Sequence, residues 1–333
     1  MKDLITLWKH TRMVVLVALT AAVYAAVLIP FKVAIPIIPG FTEVRPANVI
    51  PVICSLMFGP AAAWGSAFGN LAGDIYGGTF GPGSAFGFVG NFLYGYVPYK
   101  LWGRLWLLSS GSEPSMATRQ FSARWLAVLV PARWLGLLLA AGGLAMFEIT
   151  SLYQVPVWIN GEALPAPVLS PFGWAAVAVA GLVLYVCASR IRPPLLGPTP
   201  RQFVELVVVA VTASAACAFT IAWGVNALGL VPFTVLGPII VTNNAAVAIV
   251  LGPPLLRVLY PRVRRWGLLY RDVMPAEDLS QGRLAVAGLF LLLISAIPGL
   301  IIGVSLASTS PHTNVTLTLT PLIAAMLIGA ALL

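Results

Sequence analysis

Long apolar runs follow one another along the chain, separated by short stretches that carry most of its charge. The runs are rich in Ala, Leu, Val and Gly and lack the alternation of a lipid-facing strand. Several approach the roughly 20 residues that cross the hydrocarbon of a bilayer as a helix. The pattern predicts helices over about Met13 to Pro30, Ala47 to Phe58, Ala61 to Ile75, Ser84 to Trp106 and Trp125 to Phe147. It predicts five more over about Phe172 to Ala188, Phe203 to Asn226, Thr234 to Leu256, Leu284 to Val304 and Leu317 to Leu333. The second and third are short and turn on Gly59-Pro60, with Pro60 suited to the first turn of the later one. The expected fold class is an all-α integral membrane protein, a helical bundle of about ten transmembrane helices.

Composition strengthens this picture. Of 333 residues, 59% are hydrophobic and only 9% charged, against about a quarter charged in soluble domains. Such a chain has too little polar surface to cover itself in water. The net charge of +9 does not point to nucleic acid, because the basic residues sit in patches between apolar runs, as cytoplasmic loops do. Lys2, Lys9 and Arg12 place the N-terminus inside. Two crossings around Gly59-Pro60 then bring Lys100, Arg104, Arg119 and Arg124 inside, and Arg190, Arg192 and Arg201 follow. Arg257, Arg262, Arg264, Arg265 and Arg271 complete the bias, with both termini on the cytoplasmic side of the cell membrane. Pro30, Lys32 and Pro36 follow the first run where a signal-peptide cleavage site would need small residues, so no removable signal is expected. Cys54, Cys187 and Cys217 lie within apolar runs and read as small packing residues, without metal or redox spacing.

Candidate chemistry concentrates in "WGSAFGNLAGDIYGG", Trp64 to Gly78. On a helix, Gly65, Gly69, Gly73 and Gly77 form one smooth stripe that permits close helix approach in lipid. Ser66, Asn70 and Asp74 form a polar row beside it, rising toward the outer surface. An acid within a membrane is costly and faces a cavity or a partner. The topology gathers other polar residues at the same level, and the expected substrate-binding set is Glu43, Arg45, Asn48, Asn70, Asp74, Asn91, Tyr94 and Asn243. Trp223, Asn226 and Asn244 fall toward the same half. The plainer readings are that Asp74 ends its helix at the interface, paired with Arg45, and that Asn70 packs between helices. An enzyme is not expected. There are ten acids and two histidines, His10 and His312 lie near opposite ends, and no hydrolase or metal motif is present. No cofactor or metal is expected either.

The runs "TAAVYAAVLIP" and "RPANVIPVICSLMFGPAAAWGSAFGNLAGD" resemble the substrate-binding S component of energy-coupling-factor (ECF) transporters. The elements are an Ala-x-x-x-Ala pair, Ala22 and Ala26 (Ala21 and Ala25 offer a second register), then the turn Phe58-Gly59-Pro60, then a Gly-rich helix ending in Asp74. The likeness covers about the first 105 residues, and a weaker one extends over about Phe203 to Arg262. It implies capture of a vitamin or similar small nutrient at the outer face. Uptake would then be driven by a transmembrane coupling protein and two cytoplasmic ATPases, with Ala22 and Ala26 as the partner contact. Packing inside the chain is the other reading of that pair. The chain itself has no Walker-type phosphate loop. The family has six helices, so a core over 1–270 with an extra hairpin at about 125–190 is expected, then a cytoplasmic loop and transmembrane hairpin over 271–333. A stand-alone secondary transporter of a small organic solute is the alternative.

Overall fold

The computed structural model describes residues 2–34, 36–38, 42–43, 45–102, 136, 158–159, 162–163, 181–182, 200–279, 284–309 and 314–333. Among them the chain is helical apart from two small antiparallel ribbons. The helices are α1 (Lys2–Thr6), α2 (Thr11–Ala34), α3 (Val49–Phe58), α4 (Pro60–Tyr76), α5 (Gly83–Leu101), α6 (Pro200–Ala227), α7 (Phe233–Arg265), α8 (Tyr270–Val273), α9 (Ala285–Thr309) and α10 (Val315–Leu332). Strand β1 (Pro36–Ile38) pairs with β2 (Thr42–Glu43), and β3 (Trp158–Ile159) with β4 (Glu162–Ala163).

Among the described residues five helical segments are long and apolar enough to cross a membrane, namely Thr11–Lys32, Phe203–Ala227, Phe233–Val273, Ala285–Ala307 and Val315–Leu332. The helices expected over about 125–147 and 172–188 lie outside the described residues, save for helical backbone at 136 and 181–182.

The turn at Gly59-Pro60 forms as the sequence predicts. Gly59 has φ +54°, a conformation that L side chains rarely adopt. A Cβ there would also lie 2.6 Å from the ring of Tyr270. Pro60 opens α4, where its missing N–H is no loss. The ten residues of α3 are all buried, so this short helix is a central plug held by α4, α5 and α7.

Two helices run further than their apolar patterns. The first was expected to end at Pro30, but α2 continues to Ala34 with Pro30 inside it. A proline removes only its own hydrogen bond, and packing against neighbouring helices carries the turn through. The helix expected to end near Leu256 continues to Arg265. Arginine is a good helix former and a cation in the last turn suits the negative end of the helix dipole. The arginines at 257, 262, 264 and 265 therefore belong to a helix rather than to a loop.

Helix α2 packs chiefly on α4, α4 on α5, α5 on α6 and α6 on α7, while α9 and α10 pair with each other and lean on α6 and α7. The α2–α4 contact is the glycine stripe in use. Thr20, Tyr24, Leu28 and Lys32, four apart on α2, lie over Gly65, Gly69, Gly73 and Gly77 of α4. A Cβ on Gly65 would sit 2.5 Å from that of Thr20, and one on Gly73 would sit 2.6 Å from Leu28 Cδ2. The two backbones approach as closely as only glycine allows.

The end of the bundle that holds the N-terminus is closed by α1 and the segment after α7. Asp3 is buried between the Lys100 ammonium at 2.7 Å and the Tyr99 hydroxyl, which donates to it at 2.8 Å. Trp64 donates its indole N–H to Leu4 O at 3.1 Å. Asp278 accepts Lys2 at 3.4 Å and lies 3.2 Å from His10 Nε2. Thus Lys2, His10, Lys100 and the residues that follow α7 share one end, and Lys32, Arg45 and Asp74 lie toward the other.

Candidate functional site: a buried amide and ion-pair cluster

Arg45, Asn48, Asn70, Asp74, Asn91, Tyr94 and Asn243 lie together in two linked groups. The first lies between α2, α3, α5 and α7. Tyr24, fully buried in α2, has its hydroxyl 2.9 Å from Asn48 Oδ1 and 3.0 Å from Asn91 Oδ1. Asn48 precedes α3 at the end of the 3-10 turn Pro46–Asn48 and is 1% exposed. Its Nδ2 donates to Asn244 Oδ1 in α7. Tyr94 of α5 reaches the same place, with its hydroxyl 2.9 Å from Asn48 O and 3.0 Å from Asn244 O. Asn91 donates back to Gly87 O at 2.9 Å, which fixes its amide on α5.

The second group surrounds the acid. Asp74 forms a buried ion pair with Lys32 of α2. Asn70, one turn earlier on α4 and 2% exposed, donates to Asp74 Oδ2 at 3.4 Å. Arg45 Nη1 donates to Asn70 Oδ1 at 3.4 Å, and the Arg45 backbone N–H reaches Asn243 Oδ1 at 3.5 Å. Arg45 thereby links the two groups, because Asn243 and Asn244 are neighbours on α7. Ser66, one turn before Asn70, is buried close to Gly95 of α5. Of Glu43 only the backbone, in β2, is described.

The sequence reading differs from this geometry in three respects. The pairing of Asp74 with Arg45 is not the one formed, since Lys32 holds the acid and Arg45 holds Asn70. Ending the first helix at Pro30 put Lys32 in a loop. Once the helix continues, Lys32 falls two turns beyond Tyr24 on the face that meets α4. Trp223 and Asn226 do not join the cluster. They bond to Thr316 O and Thr316 Oγ1 of α10 at 3.1 and 2.8 Å, and Asn226 Oδ1 accepts the N–H of Phe233. Their work is to tie α6 to the last hairpin. Tyr24, Lys32 and Asn244 are absent from the expected set. The four-residue spacing of Tyr24, Leu28 and Lys32, which matches that of the glycines on α4, is the signal that could have found the first two.

Ala22 and Ala26 lie on an exposed part of α2, away from Tyr24 and Ala25, which are buried. Among the described residues no group of three or more His, Cys, Asp or Glu could hold a metal ion. Cys54 and Cys217 are buried free thiols, and Cys187 lies outside the described residues.

The cluster combines an ion pair, a guanidinium, five asparagine amides and two phenols within apolar walls. Small-molecule sites have this composition, with a few convergent polar groups in a hydrophobic surround. It offers hydrogen bonds and charge, and it has no evident nucleophile with a base beside it.

Neither the curated proteins nor the solved structures give a match to the chain. Residues 14–172, just under half of the chain, match the family model described as QueT transporter, a family of transporters and not of enzymes, and the match falls on the part of the chain that resembles the S component of ECF transporters.

Proposed function

We propose that the chain is the substrate-capturing membrane subunit of an ECF-type importer, and that it takes up a queuosine precursor or a closely similar nutrient. The observation that carries this reading is the convergence of Arg45, Asn48, Asn70, Asp74, Asn91, Tyr94 and Asn243 with Tyr24, Lys32 and Asn244 inside an apolar bundle. Each phenol has one proton for two oxygens, Tyr24 for two amide oxygens and Tyr94 for two backbone carbonyls. Amides and phenols of this kind can hydrogen-bond a heterocyclic solute when they exchange these partners for it. The QueT match supports the same substrate class.

Charge supports an outward-facing site. The basic residues of α7, Lys2 and Lys100 collect at the end opposite Lys32 and Asp74, and an excess of Lys and Arg marks the cytoplasmic side. On this basis both termini are cytoplasmic and the crossings number about ten, including the pair around Gly59-Pro60 and the hairpin at about 125–190. The core over 1–270 carries the site, and 271–333 adds a hairpin. Ala22 and Ala26 present small side chains on α2, where a transmembrane coupling protein can pack closely. Two cytoplasmic ATPases would supply the energy. Glu43, in β2 two residues before Arg45, is kept in the proposed substrate-binding set.

Titration of a queuosine precursor into the purified full chain tests the site. Saturable binding is expected, weakened roughly 5- to 150-fold in Asn70→Ala and in Asp74→Ala, as loss of a direct hydrogen bond worth about 1–3 kcal/mol requires. Equal affinity in wild type and both variants would place the pocket elsewhere.

A further inference from the structure

Helix α7 is 33 residues long, about 50 Å at 1.5 Å per residue, whereas the hydrocarbon of a bilayer is about 30 Å thick. Its charge begins only at Arg257, and Arg262, Arg264 and Arg265 follow before the helix stops. All four are exposed, and so are Val258 at 49% and Trp266 at 67%. Val258, Arg262, Arg265 and Trp266 are spaced so that they share one side of the helix. Arg265 Nε donates to Pro261 O at 3.4 Å, one turn nearer the apolar body of the helix. Exposed acid in the following segment includes Asp272, while Asp278 is engaged by Lys2 and His10.

We propose that this end of α7 is a binding surface for anionic phospholipid, with Arg262, Arg264 and Arg265 on the headgroup phosphates, Val258 on their acyl side and Trp266 at headgroup level. A helix end bathed in water gains nothing from an exposed tryptophan and valine between guanidinium groups. At a bilayer surface each finds its medium, because indole rings settle at headgroup level and guanidinium groups grip phosphate oxygens two at a time. The interleaving of apolar and cationic residues favours a lipid over an acidic protein surface. The proposal does not depend on which solute the chain carries.

The purified full chain, in micelles containing equal amounts of phosphatidylglycerol and phosphatidylcholine with the same acyl chains, provides the test. Native mass spectrometry reads which lipid remains bound. Retention of phosphatidylglycerol over phosphatidylcholine is expected, falling about a hundredfold when Arg262→Gln, Arg264→Gln and Arg265→Gln are combined, at roughly fivefold per cation. The same three positions changed to Lys keep the charge and are expected to retain most of the preference. This variant, together with loss of the preference in wild type as salt is raised, decides the matter should the glutamine variant not fold. No preference in wild type, or an undiminished one in the folded glutamine variant, would overturn the proposal.

Discussion

Lys32 and Asp74 show how much one residue's placement decides. Each is buried and charged, and each is tolerable in the bundle because of the other. Removing one partner leaves a buried charge uncompensated, which typically costs about 3–5 kcal/mol, whereas replacing both with apolar residues is often neutral. Lys32→Met alone is therefore expected to lower the thermal stability of the purified chain, and Lys32→Met with Asp74→Leu to restore most of it. A double variant as unstable as the single ones would mean that the pair does not hold α2 to α4. At this scale the sequence was informative about position and silent about partners. Asp74 and Asn70 could be read as neighbours on one helix face from their spacing alone. That the acid faces Lys32 depends on α2 continuing past Pro30, and only tertiary packing decides that.

Elements were legible where their signals were local. Gly59-Pro60 carries its own turn chemistry, and the four-residue glycine spacing marked α4 as a helix that another approaches closely. Which helix would do so could not be read, because α2 offers an ordinary apolar surface and its row of Thr20, Tyr24, Leu28 and Lys32 gains meaning only against the glycines. The fastening of α1 was likewise invisible, since Asp3 and Lys100 are far apart in the chain. Burial alone would raise the Asp3 carboxyl, but the Lys100 ammonium, helped by the Tyr99 hydroxyl, outweighs it and holds the group below its ordinary value of 3.8. A depressed carboxyl stabilises the fold above that ordinary value and loses its contribution as pH falls below it. In Lys100→Met the sign reverses, because burial then favours the neutral acid. The variant is expected to be less stable than wild type at pH 7 by about 3–5 kcal/mol, with the gap narrowing toward pH 4. Thermal melts at the two pH values check this, and an equal gap at both would show that Asp3 and Lys100 are not coupled.

At the scale of the molecule, charge and apolar length were enough to predict a helical membrane protein with one basic end, and the bundle has both features. The last hairpin, α9 and α10, was visible as two apolar runs, but its attachment through Thr316 to Trp223 and Asn226 was not. On the proposed function, capture and energy supply are divided between this chain and its partners. Reconstitution measures it most directly, by following uptake of a labelled queuosine precursor into proteoliposomes. The chain alone is expected to bind but not to accumulate the solute, even under an imposed proton gradient. Accumulation is expected only when the coupling protein, both ATPases and ATP are present, and to be lost in Ala22→Leu with Ala26→Leu while binding persists. Gradient-driven accumulation by the chain alone would contradict this and identify a stand-alone secondary transporter.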